Sequence, residues 1–350
     1  MPTARPDELA RLGVYVLPGR ISEPSAAIGQ ARAAEHLGLG AVWLGERYGS
    51  KDLGIIAGAV GQATSRITVG SGIAHFLVRH PITMASMAMT FQAMTGRPFI
   101  LGVGRSVGPL WTAFGLPAMT NQVLIDSADI VRRLCRGERV RYEGPAGRYP
   151  ALKLSDLTGL DPPRIVLAAI GPKSLALAGK HFDGVLLHPF LTAETVARST
   201  QVVREAARTA GRDAAEVRVY ATVVVAPDLT EAEQEAVVGA RAVTYFQIPA
   251  FGDRLAETNG WDPTQLARLR SHPKLANISG AADNAFTRPE LTEVSRLLPA
   301  SWLETGAAIG SASQCATRLW EYLDAGADEL VLHGSTPDLL GPLVQHFLAR

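Results

Sequence analysis

Short apolar, β-branched runs alternate with amphipathic helical stretches from one end of the chain to the other. Runs that read as strands fall at Gly13–Leu17, Ala41–Gly45, Ile67–Ala74, Pro98–Gly104, Arg164–Ile170, Asp183–His188, Val217–Ala226 and Glu329–His333. Helical periodicity covers Ser25–Leu37, Leu53–Thr64, Pro81–Thr95, Gln122–Arg136, Pro172–Ala178, Ala193–Ala210 and Ala312–Ala325. Pro81 and Pro172 sit where a first helical turn begins, and Thr192-Ala-Glu194 is a capping start. Most of the strands are too short and apolar to have a wet face, which predicts a parallel sheet covered by helices. Eight is also the number that closes a barrel, so the pattern predicts an α/β fold, a (β/α)8 TIM barrel, with a doubly wound open sheet as the alternative.

Two connections are too long for a bare barrel: roughly sixty residues after the fourth strand and about a hundred after the seventh. The second holds Tyr245-Phe-Gln-Ile-Pro-Ala-Phe251, Trp261, a Pro/Asn/Gly-rich stretch around Ser271–Asp283, and Trp302. In a barrel such segments emerge on the C-terminal face, where active sites are assembled. They read as walls and lid of a substrate cavity, a region of about 230–305 within one domain spanning 1–350; a docking surface for a second subunit is the competing reading.

Composition narrows the class. A chain of 350 residues, 47% apolar, can bury a large core. Its net charge of +1, with no basic cluster, argues against an extended nucleic-acid or anionic-membrane partner. Cys135 and Cys315 lie far apart with no CxxC spacing, which excludes a disulfide framework and fits a reducing compartment. No apolar run is long enough to span a membrane and MPTARPDELARLG has no signal-peptide core, so a soluble, cytoplasmic protein is expected.

Candidate chemistry gathers at strand ends. The third strand runs into Gly70-Ser-Gly72-Ile73 and then His75, where small residues let a backbone or a cofactor approach closely. The fourth ends in Leu101-Gly-Val-Gly-Arg-Ser106; a dinucleotide fingerprint would need glycine at 107, which is Val, so Gly104, Arg105 and Ser106 read better as an anion contact or a surface ion pair. The fifth ends in Leu167-Ala-Ala-Ile170-Gly171-Pro172-Lys-Ser174, whose helix start favours phosphate over a plain capped turn. Glu46 and Arg47 follow the second strand; a half-buried Glu46 would have a raised pKa and suit proton transfer, whereas a mutual Glu–Arg pair is the plainer reading. Trp43 reads as packing. His75, His188 and His333 fall at or beyond strand ends without the spacing of a metal site, and His75 leads as a proton shuttle.

These segments together resemble the luciferase-like flavin and deazaflavin oxidoreductases. The matching pieces are AVWLGER, ITVGSGIAHFLVRHP, RPFILGVGRS and PRIVLAAIGPKSLALAGKHFDGVLLHP, in family order up to about Pro189, with DAGADELVLHG matching the last strand. The resemblance implies a (β/α)8 barrel with its cofactor at the C-terminal mouth and a cis peptide at Gly72-Ile73 backing the ring. It puts Gly104, Arg105 and Ser106 near the cofactor's tail and Ile170, Gly171, Pro172 and Ser174 at its phosphate. The branch resembled uses the 8-hydroxy-5-deazaflavin coenzyme F420, which moves a hydride and reacts poorly with oxygen. Asp-His commonly follows strand two there; Glu46-Arg47 stands here, so Glu46 or His75 is expected to take the proton role. The implied activity is hydride transfer between F420 and a largely apolar organic substrate, in a homodimer. The alternatives are an FMN-dependent monooxygenase on the same fold, a non-redox phosphate-binding isomerase or lyase, and a catalytically silent flavin carrier.

Overall fold

The computed structural model describes residues 6–18, 23–47, 50–106, 108–157, 159–278 and 280–350. Parallel strands β1 (Leu12–Val16), β2 (Ala41–Leu44), β3 (Thr68–Ser71), β4 (Phe99–Val103), β5 (Arg164–Ala169), β6 (Gly184–Leu187), β7 (Arg218–Pro227) and β8 (Glu329–Gly334) each pair with the next. β8 pairs back onto β1, with Leu12 opposite Leu330, so the sheet closes and the open-sheet alternative falls. The β-branched outer faces meet the ring of helices, among them Ala26–His36, Leu53–Ala63, Pro81–Thr95, Pro172–His181, Ala193–Thr209 and Ala312–Asp324. Thr192 accepts a hydrogen bond from the Thr195 N–H, the cap its sequence promised.

One indole fills the lumen. Trp43 is fully buried and meets Tyr220 edge-on, ring centroids 5.2 Å apart. A Cβ built on Gly13 would lie 3.0 Å from its Nε1, and one on Gly70 3.1 Å from its Cε3, so two neighbouring strands are glycine where the indole lies. Ile100, Val166, Leu186 and Val331 complete this inner core, and Tyr15, Ile73 and Ala168 pack on it partly buried. The barrel is therefore packed solid below, and chemistry is confined to the C-terminal mouth.

The long connections carry structure of their own. After β4 come helix Asn121–Cys135 and an antiparallel hairpin, Val140–Gly144 with Gly147–Leu152. After β7, short helices run from Glu231 to Gly306, and strand Ala307–Gly310 then adds in parallel to the far half of β7. Trp302 is buried and stacks on Trp261 at 4.8 Å and 11°, with Phe246 against it, so these rings form the insertion's own core instead of a substrate wall. Among the described residues no helix is long and apolar enough to cross a membrane.

Candidate active site

Regular pairing along β3 lapses at Gly72-Ile73, whose peptide is cis as the resemblance implies. Hydrogen bonds strap this ledge on both sides. Gly72 N–H donates to Leu44 O at 2.8 Å, Ala74 N–H to Gly102 O at 2.8 Å, and the Ser71 hydroxyl also to Gly102 O at 2.8 Å. Gly72 and Ile73 stay partly exposed at the mouth while Ala74, His75 and Phe76 are buried. A Cβ on Gly104 would overlap Ile73 Cδ1 and lie 3.2 Å from Ala168 Cβ, so Gly104 makes room for the Ile73 side chain. The result is a flat, largely apolar ledge over the Trp43 core.

Beside the ledge, basic groups converge on the helix that starts at Pro172. Arg105 donates to the Ser174 hydroxyl at 3.2 Å, to Met119 O at 3.2 Å and to the Asn121 amide oxygen. Arg254, from the late insertion, lies near Gly171, its Cδ 3.7 Å from where a Cβ would stand. Burial and the Arg254 charge hold the Arg105 guanidinium below its ordinary pKa. Among the described residues neither arginine pairs with a carboxylate. Two cations at a helix start favour an anion there. Ile170 is partly buried and Pro172 and Ser106 are exposed; Ser106 has φ 55°, a left-handed turn where the chain leaves β4. Val107 lies outside the described residues. Arg254 and Asn121 carried no signal in the sequence, because contacts across long chain separations brought them here.

His75 is hydrogen-bonded at both ring nitrogens. Its Nε2 lies 3.2 Å from Arg105 O, and Nδ1 accepts the Leu77 N–H at 3.2 Å. Both bonds together fix the Nε2–H tautomer, with the Nδ1 lone pair engaged by the Leu77 N–H. The ring is buried and stacks on Trp111, centroids 3.7 Å apart, and burial lowers its pKa to about 4. It is a strut for the Arg105 backbone.

Glu46 pairs with Arg79, not with its neighbour. Arg79 Nε donates to Glu46 Oε1 at 2.6 Å, and its Nη2 reaches Asp52 at 2.8 Å. Asp52 in turn caps helix Leu53–Ala63 by accepting from Ile55 N–H. The Glu46 carboxyl is almost fully buried, its Oε2 has no partner, and desolvation raises its pKa against the pull of Arg79. Arg47 leaves the barrel and donates to Asp283 Oδ2 at 3.0 Å.

The rest of the mouth is more polar than an apolar pocket requires. His188 donates from Nδ1 to Pro189 O at 2.8 Å, which puts its lone pair on Nε2. Burial holds this imidazole neutral, with a pKa of about 4, and its ring meets Tyr245 at 4.4 Å and Phe251 at 5.1 Å. Tyr15 lies 4.9 Å from His333, ring to ring, and burial holds its phenol well above the ordinary range. Arg241 donates to Asp283 at 3.0 Å and lies over the Tyr245 ring. The sequence marked His188, His333 and Tyr245 by position; Arg241 follows a π turn that breaks its helix's period, and Asp283 belongs to a four-residue helix.

A barrel plugged below, with an apolar ledge and a cationic cradle side by side at its C-terminal mouth, offers room for a planar group beside an anion. A sequence profile described as luciferase-like monooxygenase matches residues 9–329, and the chain belongs to that family. It is 27% identical over 305 residues to the 5,10-methylenetetrahydromethanopterin reductase of Methanolobus tindarius, covering 86% of this chain and 87% of that one. It is 31% identical to the F420-dependent hydroxymycolic acid dehydrogenase of Mycobacterium tuberculosis over 52% of this chain and 54% of that one. The solved coenzyme F420-dependent tetrahydromethanopterin reductase of Methanopyrus kandleri superposes with a TM-score of 0.80 at 19% identity, covering 97% and 98%, which shows the shared fold.

Proposed function

We propose that this protein is an F420-dependent oxidoreductase that transfers a hydride between the deazaflavin ring and an organic substrate. The observation that carries the reading is the pair of guanidinium groups, Arg105 and Arg254, without a carboxylate between them, beside the Gly72-Ile73 ledge. These residues fit a ring with a phosphate tail. Family relatives that name this coenzyme support it over FMN. When bound, the deazaflavin supplies a carbon that accepts or donates hydride.

This chain's own residues do the rest. Ile73, with room made by Gly104, backs the ring, and Gly72 closes the ledge. Arg105, Ser174 and the backbone at Gly171 hold the phosphate, with Ile170 and Pro172 shaping the turn and Ser106 directing the chain out of β4. Glu46 Oε2 and His188 Nε2 are the atoms able to hold or release a proton at the mouth. Tyr245 and Phe251 screen the His188 side from water. Residues of about 230–305 act as the substrate-side cover of a single catalytic unit, which works as a homodimer, as the resemblance implies, in the reducing cytoplasm that the two lone cysteines fit.

Parallel titrations with oxidised F420 and FMN, read by fluorescence quenching, test the reading. Selective F420 binding followed by oxygen-independent bleaching with substrate is the expected result. Selective FMN binding with oxygen uptake would make it a monooxygenase, and indifference to both would leave a non-redox barrel.

A further inference from the structure

Across the mouth from the tail cradle lies a second cationic site. In barrel order β8 stands opposite β4, and the groups concerned rise from the β8 and β2 ends and the late insertion. Arg241 is buried, donates to Asp283 Oδ2 at 3.0 Å, and has an Nε with no partner. Arg47 donates to the same carboxylate oxygen at 3.0 Å, leaving buried Asp283 Oδ1 unpartnered. Arg288 donates to Gly334 O at 3.2 Å and pairs with no carboxylate among the described residues. His333, next to Gly334, is buried with Nδ1 unpartnered. Arg47 and Arg241 thus share one carboxylate while Arg288 stands beside them without one, an excess of two positive charges around the buried Arg241.

Such an excess is costly to bury unless an anion completes it. The cost would be pointless in a pocket meant only for hydrocarbon. Guanidinium forks are matched to planar oxyanions, and carboxylates are bound bidentately by them. The neighbouring Tyr15–His333 and Tyr245–His188 ring pairs give the same place flat apolar surfaces.

We propose that the substrate carries a carboxylate, seated on Arg241 and Arg288 with Arg47 at its rim, on the side of the mouth opposite the cofactor's tail. This rests on the oxidoreductase reading for calling the bound molecule a substrate, but the anion site itself does not. It narrows a largely apolar substrate to an amphipathic one, an aromatic or aliphatic body with an acid at one end.

Calorimetric titration of the whole protein with benzoate and with its neutral counterpart benzamide tests it. Benzoate should bind at least tenfold more tightly than benzamide. Arg288→Gln and Arg241→Gln should each cut benzoate affinity about ten- to a hundredfold, as loss of a hydrogen bond to a charged group does. Arg241→Lys, which keeps the charge if the glutamine variant fails to fold, should restore part of it. Arg105→Met, which alters only the tail cradle, should leave the benzoate selectivity intact; if the substitution abolishes it, the carboxylate was reading the tail cradle and the inference falls. Equal affinity for benzoate and benzamide, or no binding of either, also overturns it. F420 titration of the same samples separates the two readings. Retained benzoate selectivity without deazaflavin binding sinks the oxidoreductase and keeps the anion site; normal deazaflavin binding without selectivity does the reverse.

Discussion

Acid should loosen the mouth through His75. Folding lowers its imidazole pKa from 6.5 to about 4 because the ring is buried away from water, a loss that the Nε2–H bond to Arg105 O only partly offsets, while Nδ1 accepts the Leu77 N–H. A proton added at Nδ1 would face that N–H. The unfolded chain therefore binds the proton more readily than the folded one. Stability from this group is complete above pH 6.5 and is lost as pH falls toward 4. Between pH 8 and pH 5 the loss is about 2 kcal/mol from His75 alone. Urea unfolding of the wild type and of His75→Asn at pH 8, 6.5 and 5 isolates this share. Asparagine retains an acceptor for Leu77 but does not titrate, so its stability should fall about 2 kcal/mol less over that range. The variant should start lower at pH 8, by about 1–3 kcal/mol, for the lost Arg105 bond and Trp111 stacking. Identical pH slopes in the two proteins, or a folded His75 titrating near 6.5 by NMR, would refute the assignment of this ring as a strut.

Gly104→Ala meets the flexible end of Ile73, so the fold should survive while deazaflavin affinity drops about tenfold, whereas Gly102→Ala meets the Ser71 carbonyl and should cost about 1–3 kcal/mol in urea unfolding; an unaffected cofactor affinity in Gly104→Ala would remove Ile73 from the ring's support. Arg105→Met should weaken cofactor binding about ten- to a hundredfold by fluorescence quenching, and more than Arg254→Met, since Arg254 is exposed. Glu46→Gln should keep cofactor binding, because Arg79 retains Asp52, yet slow turnover about 10²- to 10⁴-fold. An unchanged kcat in that variant would move the proton role to His188.

The barrel was legible because its strands carry their signal locally. Buried parallel strands must be short, apolar and β-branched, and β4, β5 and β7 say so within one or two residues of their true ends. The hairpin at Val140–Leu152 was silent because it is largely exposed, with arginine and glutamate where an apolar alternation would be. Most helices of the late insertion are eight residues or fewer, such as Pro273–Ala276 and Arg288–Ser295, too brief to establish a period, and the longer helical run over 231–246 is interrupted by a π turn at Glu235–Gly239. The candidate cofactor-side residues stand out in the sequence because strand-end glycines and Arg105 share one segment. Partner choice was not: Glu46 finds Arg79 and Arg47 finds Asp283, 236 residues away, and no spacing foretells either. The partners of His75 were silent for the same reason, since a strand-end histidine looks alike whatever its ring nitrogens bond.

A structure of the protein soaked with F420 tests the central claim most directly. The ring should lie against Gly72-Ile73, with the phosphate within hydrogen-bond distance of Arg105 or the Ser174 hydroxyl. A ring bound elsewhere, or a phosphate resting away from both groups, would contradict it.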